Sequence, residues 1–179
     1  LVANCHKIPQ KFFEKRFLSN QELTESINKT IDTLKDICKN DVQILFTVSP
    51  VRHTKDGIVE NQLSKSKLIT AIHESISGKE NCRYLPIYEL MMDDLRDYRF
   101  YAEDMIHLNS QAVQYIWEKF GNAYFTDVTK VFINENNKIL TALNHRTNDD
   151  KNPKYQEFLD KINQKMIEQQ KKVKHKIFS

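Results

Sequence analysis

Asp104, Met105, Ile106 and His107 form a D-x-x-H stretch, the best candidate for chemistry in this chain. An imidazole used as a general base needs one fixed tautomer and one fixed ring plane. A carboxylate bonded to one ring nitrogen supplies both, and it stabilises the imidazolium that forms. Three residues of a tight turn bring the two groups together without long-range folding precision. Asp104 is therefore the candidate orienter and His107 the candidate base. The bland alternative is that Asp104 caps a turn and His107 is a solvated loop residue, since four-residue patterns arise by chance.

A second set of polar residues is Arg52 and His53, in the loop Val51 to Gly57. They suit an anionic or hydroxyl-rich substrate; the alternative pairs Arg52 with a nearby acid such as Asp56. The adjacent pair Cys5-His6 points its side chains apart and is a poor nucleophile–base couple. A metal site through His53, Asp104 and His107 lacks a fourth ligand at sensible spacing, and no cofactor is implied.

These residues need elements to position them. Asn109 caps a helix in which Ala112, Val113, Ile116, Trp117 and Phe120 share one face, with Gly121 as its stop. The D-x-x-H pair thus lies in a loop at a helix mouth. Upstream, Ser19 and Glu22 make a capping box before the stripe Leu23, Ile27, Ile31, Leu34 and Ile37. Val42 to Val48 is nearly all apolar, as expected of a strand covered on both faces, and Ser49-Pro50 ends it. Asn61 opens the next helix, with Leu68, Ile69, Ile72 and Ile76 inward and Gly78 closing it. Arg83 to Tyr88 is a shorter strand, marked as an edge or a terminating strand by Pro86. Strand alternating with helix predicts a parallel sheet with helices on both faces. Ligands then sit beyond the C-terminal strand ends, where Asn4, Ser49 to His53 and the Asp104–His107 loop all fall.

Beyond Phe125 the pattern changes. Val128, Phe132, Ile139 and Leu143 suggest a helix interrupted by the polar run Asn134 to Lys138. Residues 144–152 read as a linker. Pro153 starts a last helix bearing Phe158, Leu159, Ile162, Met166 and Ile167, with Gln169 to Lys176 a basic tail. Two regions follow: residues 1–125 as one α/β domain, and residues 126–179 as a helical extension.

Composition narrows the class. The chain has 179 residues, 40% hydrophobic and 28% charged, as in a soluble globular protein. No run approaches the ~20 apolar residues that span a bilayer. The net charge of +3 is uneven: residues 151–179 hold eight lysines and three acids, leaving −2 for the rest. The body therefore shows no nucleic-acid footprint. The three cysteines are scattered and read as reduced thiols, which suits a cytoplasmic location. Leu1-Val2-Ala3 looks like the middle of a strand, so sequence before Leu1 is expected.

Three segments carry a resemblance: residues 2–7 (VANCHK), 47–53 (TVSPVRH) and 97–107 (DYRFYAEDMIH). In these the chain resembles the GSCFA-domain proteins, and through them the wider SGNH/GDSL hydrolase superfamily, over roughly residues 1–125. The resemblance implies a three-layer flavodoxin-like parallel sheet with flanking helices, and serine ester-hydrolase chemistry. The superfamily's D-x-x-H block falls on Asp104 and His107. His107 is followed by Leu108, where the superfamily commonly has proline. The oxyanion asparagine has Asn4 as its candidate counterpart, in the loop after the first presumed strand.

The Gly-Ser-Cys-Phe-Ala block that would carry the nucleophile is absent from these residues. Ser49 is a poor substitute, because Pro50 follows it and no glycine allows a sharp nucleophile elbow. The expectation is the C-terminal part of an esterase or deacetylase, inactive by itself, with its serine upstream. The substrate class is a small-molecule or carbohydrate ester. The alternative is a non-catalytic binding module that keeps the hydrolase fold; the upstream reading frame separates the two.

Overall fold

The computed structural model describes residues 9–39, 42–144 and 153–178. Helix α1 runs Asn20–Ile37 and opens on the expected capping box: Ser19 Oγ accepts from the Glu22 N–H while Glu22 takes the Ser19 N–H. Its inward stripe centres on Ile31, which is fully buried, whereas Ile37 at the end of the stripe is exposed.

Strand β1 covers only Ile44–Phe46 and pairs in parallel with β2, Cys82–Tyr84, with Ile44 opposite Cys82 and Phe46 opposite Tyr84. Both strands are shorter than the apolar runs predicted. Below the ladder, the Asn81 side chain takes the Val42 carbonyl, so that residue is held without strand pairing. Above it, Leu85 still donates to the Phe46 carbonyl. Pro86 then turns the chain into the helical segment α3, Ile87–Glu89, which continues as a π-type turn over Leu90–Asp94.

Helix α2 runs Ile58–Ile76. It begins ahead of Asn61, because Gly57 (φ +105°) redirects the chain straight out of the short 3-10 turn Thr54–Asp56. Asn61 instead accepts the His53 backbone N–H at 2.9 Å. Gly78 (φ +73°) follows the helix, as a stop glycine should.

Two apolar clusters seat the sheet. Ile44 and Cys82 pack with Ile31 of α1, and Val48 packs with Ile72 of α2 and Tyr88. Residues 44, 46 and 48 share one side of a strand. Both helices therefore cover that side, and Leu45 and Arg83 on the other are exposed. The expectation of cover on both faces does not hold among the described residues. What stands is a mostly helical α/β arrangement with a small two-stranded parallel sheet.

A third cluster gathers Met91, Leu95, Tyr101, Ala112 and Ile116, and so ties the π-type turn to helix α4, Ser110–Tyr124. By contact the chain divides into two units at Ile116/Trp117. In the second unit Gly121 lies inside α4 and is not its stop. The Phe125 ring packs against it, so an added Cβ would meet Phe125 Cδ2 at 3.0 Å.

Thr126 caps helix α5, Asp127–Leu143, which is continuous. The polar run predicted to interrupt it lies within the helix, and Lys138 pairs with Glu135 one turn away at 2.7 Å. Helix α6 spans Pro153–Gln170, with Ile162 buried. Past its end the Gln170 amide bonds the His175 carbonyl and the Ile177 N–H, folding the basic tail back. The predicted linker lies, but for Asn144, outside the described residues. No described helix is long and apolar enough to cross a membrane.

Candidate active site

The Asp104–His107 turn is the tip of a small antiparallel loop. Tyr101 and Leu108 bridge across it, Ala102 donates to the His107 carbonyl at 2.8 Å, and Asn109 donates to the Phe100 carbonyl at 3.0 Å. Asn109 anchors its base. Its amide nitrogen reaches the Arg99 carbonyl at 2.6 Å, and its Oδ1 accepts the Ala112 N–H at 3.0 Å, the N-cap bond predicted for α4. The loop therefore enters the helix at a set angle, with Tyr101 and Ala112 buried in one cluster.

Within the turn, Asp104 Oδ2 stands 2.7 Å from His107 Nδ1. Its other oxygen, Oδ1, accepts the backbone N–H groups of Ile106 (2.9 Å) and His107 (3.0 Å). Three donors thus fix one carboxylate. The His107 ring bond, then the His107 and Ile106 N–H groups, hold Asp104 down at about 2. Both side chains are open to solvent, 62% for His107 and 47% for Asp104. An exposed ion pair holds weakly by charge alone. The backbone bonds to Oδ1 are what make the carboxylate a fixed reference for the ring.

Closing so tight a turn costs backbone strain at Met105, whose φ of +58° is rare for a side chain of that kind. Arg52 braces this point. Its backbone N–H donates to the Ile106 carbonyl at 3.3 Å, and Nη1 donates to the Met105 carbonyl at 3.4 Å. Its guanidinium lies over the Tyr101 ring, 4.1 Å from the centroid, and over the Tyr98 ring at 5.4 Å. The segment beyond β1 and the D-x-x-H loop are therefore joined through Arg52. The anticipated Arg52–Asp56 pair does not form; Asp56 pairs with Lys15 at 2.8 Å.

His53 is exposed, and its backbone rather than its ring is engaged, on Asn61. Asn4 and the Cys5-His6 pair lie outside the described residues. Ser49 Oγ accepts the Val51 N–H at 3.2 Å. Among the described residues no serine or threonine hydroxyl bonds the His107 ring, and no group of three or more His, Cys, Asp or Glu could hold a metal ion.

One residue escaped the sequence reading. Lys65 is 4% exposed and donates to the Ser49 carbonyl at 2.6 Å, holding the turn that follows β1. Burial lowers its pKa. The signal was present: Lys65 lies three, four and seven residues before Leu68, Ile69 and Ile72, on the inward stripe of α2.

Chemically, the arrangement can do one thing well. With Nδ1–H given to Asp104, the Nε2 lone pair of neutral His107 is free to accept a proton. Neither a curated protein nor a solved structure gives a significant match to the chain. The GSCFA family model matches residues 1–120, two thirds of the length and the whole of the Asp104–His107 loop, and the chain belongs to the GSCFA family.

Proposed function

We propose that this chain supplies the base and its orienter for an SGNH-type serine ester hydrolase, an esterase or deacetylase. The nucleophilic serine lies in sequence outside these residues, in a block of the Gly-Ser-Cys-Phe-Ala kind. The single observation that carries this reading is the 2.7 Å contact between Asp104 and His107 Nδ1, with Nε2 unpartnered among the described residues. The two-stranded parallel sheet with Leu45 and Arg83 exposed on one side lends support. Parallel sheets are ordinarily covered on both faces, so further chain completing a flavodoxin-like sheet accounts for the open side.

In this reading Nε2 of His107 takes the serine proton as the serine oxygen attacks the ester carbonyl. The imidazolium then gives that proton to the departing alcohol, leaving an acyl-serine. Water, deprotonated by the same nitrogen, attacks the acyl-serine; the imidazolium returns the proton to the serine oxygen and releases the acid. Asp104 keeps the ring in one tautomer throughout and stabilises its charged form. The substrate is a small-molecule or carbohydrate ester.

The test uses the longer protein carrying the serine block, assayed on an acetyl ester. His107→Ala should lower kcat by about three decades, as loss of a base that acts as a unit with its nucleophile does. The chain of 179 residues without that block should show no turnover. Undiminished turnover by the His107→Ala protein on every ester it cleaves would overturn the reading.

A further inference from the structure

Arg52 has a problem that the described residues do not solve. Its guanidinium is half-buried, and among the described residues no carboxylate pairs with it. Only one of its five side-chain N–H groups has an acceptor there, the Met105 carbonyl. The neighbouring charges are already matched: Arg96 pairs with Asp93 at 3.0 Å, and Asp97 pairs with Arg99 at 3.4 Å. A buried or half-buried cation without a counter-ion is uncommon unless a ligand provides one.

The space beside it fits that role. A cleft of about 200 Å³ opens against Arg52, with Tyr98 and Tyr101 on its wall. Its floor is apolar: Met91 and Leu95 are buried at 1% and 4% exposure, and Met92 lies beside them. Ligand clefts generally combine such an apolar lining with very few polar groups that fix orientation. Arg96 and Asp97 also line it, each paired with another residue, so the cation left to orient a ligand is the Arg52 guanidinium, which favours a planar carboxylate.

We propose that this cleft binds a small amphiphilic carboxylate, its head on Arg52 and its hydrocarbon on Met91, Met92 and Leu95. A neutral alkyl chain would leave the guanidinium unanswered. A compact inorganic anion would leave the methionine floor wet. Because Arg52 also holds the Met105 carbonyl, the ligand's head lies next to the D-x-x-H loop. Joined to the hydrolase reading, on which this last step alone rests, the ester substrate carries a carboxylate close to its scissile bond and an apolar arm beyond it.

Binding is measurable without turnover, so its failure and that of the hydrolase reading are separate events. The full chain, labelled at its methionine methyl groups, is titrated with hexanoate and, in parallel, with hexanamide. Hexanoate should shift the Met91 and Met92 signals saturably, and hexanamide should bind about tenfold or more weakly, for loss of a charge-assisted contact. Arg52→Gln should weaken hexanoate to the hexanamide level, while Arg52→Lys keeps part of the affinity. Equal binding of acid and amide by the unaltered chain would overturn the proposal, whatever the variants do. So would hexanoate shifts confined to methionines away from the cleft, or undiminished affinity in a folded Arg52→Gln protein.

Discussion

Two carboxylates in this molecule are held down at about 2, Glu22 at the head of α1 and Asp104 in the D-x-x-H turn. Each bonds a cationic or ring nitrogen and nearby backbone, within a few residues. Glu22 is closed on itself. Arg16 grips both of its oxygens, at 3.0 and 2.7 Å, and the Ser19 N–H and hydroxyl complete the set. Nothing in that cluster is left to act, and its work is to start a helix. Asp104 is bonded as fully, but its partner is not: among the described residues the His107 ring keeps one nitrogen free. A depressed carboxylate pKa therefore marks order in both places. The unpartnered atom at the far end distinguishes a candidate site from a cap.

Exchanging each acid for its amide separates the two clusters most sharply. In the longer protein that the hydrolase reading calls for, Asp104→Asn should lower kcat/KM by about two decades or more, because an amide can hold the wrong tautomer. Glu22→Gln should leave kcat/KM unchanged. Steady-state kinetics on one ester decides both. If the two substitutions had equal effects on turnover, the distinction between cap and site would be lost.

The next effect is on stability. Asn109→Ala removes the α4 cap and the bond to the Arg99 carbonyl together. It should cost about 2 kcal/mol by urea unfolding, at the upper end for a cap with a second bond. Ser19→Ala, which removes only the α1 capping box, should cost about 1 kcal/mol. The smallest effect expected is that of Met105→Gly. Relief of left-handed strain opposes the added freedom of the unfolded chain, leaving a change of about 0.5 kcal/mol or less.

Acid distinguishes nothing between the two clusters, and that is itself a check. Both folded carboxyls are depressed, so both add stability above the ordinary carboxylate range of about 4. That stability is lost as pH falls toward 2. Carbon NMR of the two side-chain carboxyls should give folded midpoints near 2 for each.

The parts of the structure that could be read from sequence are local ones. The Ser19–Glu22 box and the Asn109 cap involve residues three apart, and spacing alone specifies them. The Asp104–His107 contact is local in the same sense. Strand length was not readable, because pairing ends where the partner turns. Pro86 diverts β2 into α3, and the apolar residues Val42 and Val48 lie beyond the ladder. Gly121 misled for a different reason: it lies inside α4, one turn before the Phe125 ring that packs against it, and so serves a close local approach, not a stop. Arg52 was singled out by type and place. Its actual seat over Tyr101 depends on two segments 49 residues apart, and no pattern in either announces it.

The hydrolase reading requires Asp104 to fix His107 as the Nδ1–H tautomer, with Nε2 free. Nitrogen-15 NMR of the imidazole in the intact chain, above the pH at which the ring is charged, measures this directly. The prediction is a protonated Nδ1 and an unprotonated Nε2, changed in Asp104→Asn. A ring carrying its proton on Nε2, or one whose tautomer ignores Asp104→Asn, would contradict the account.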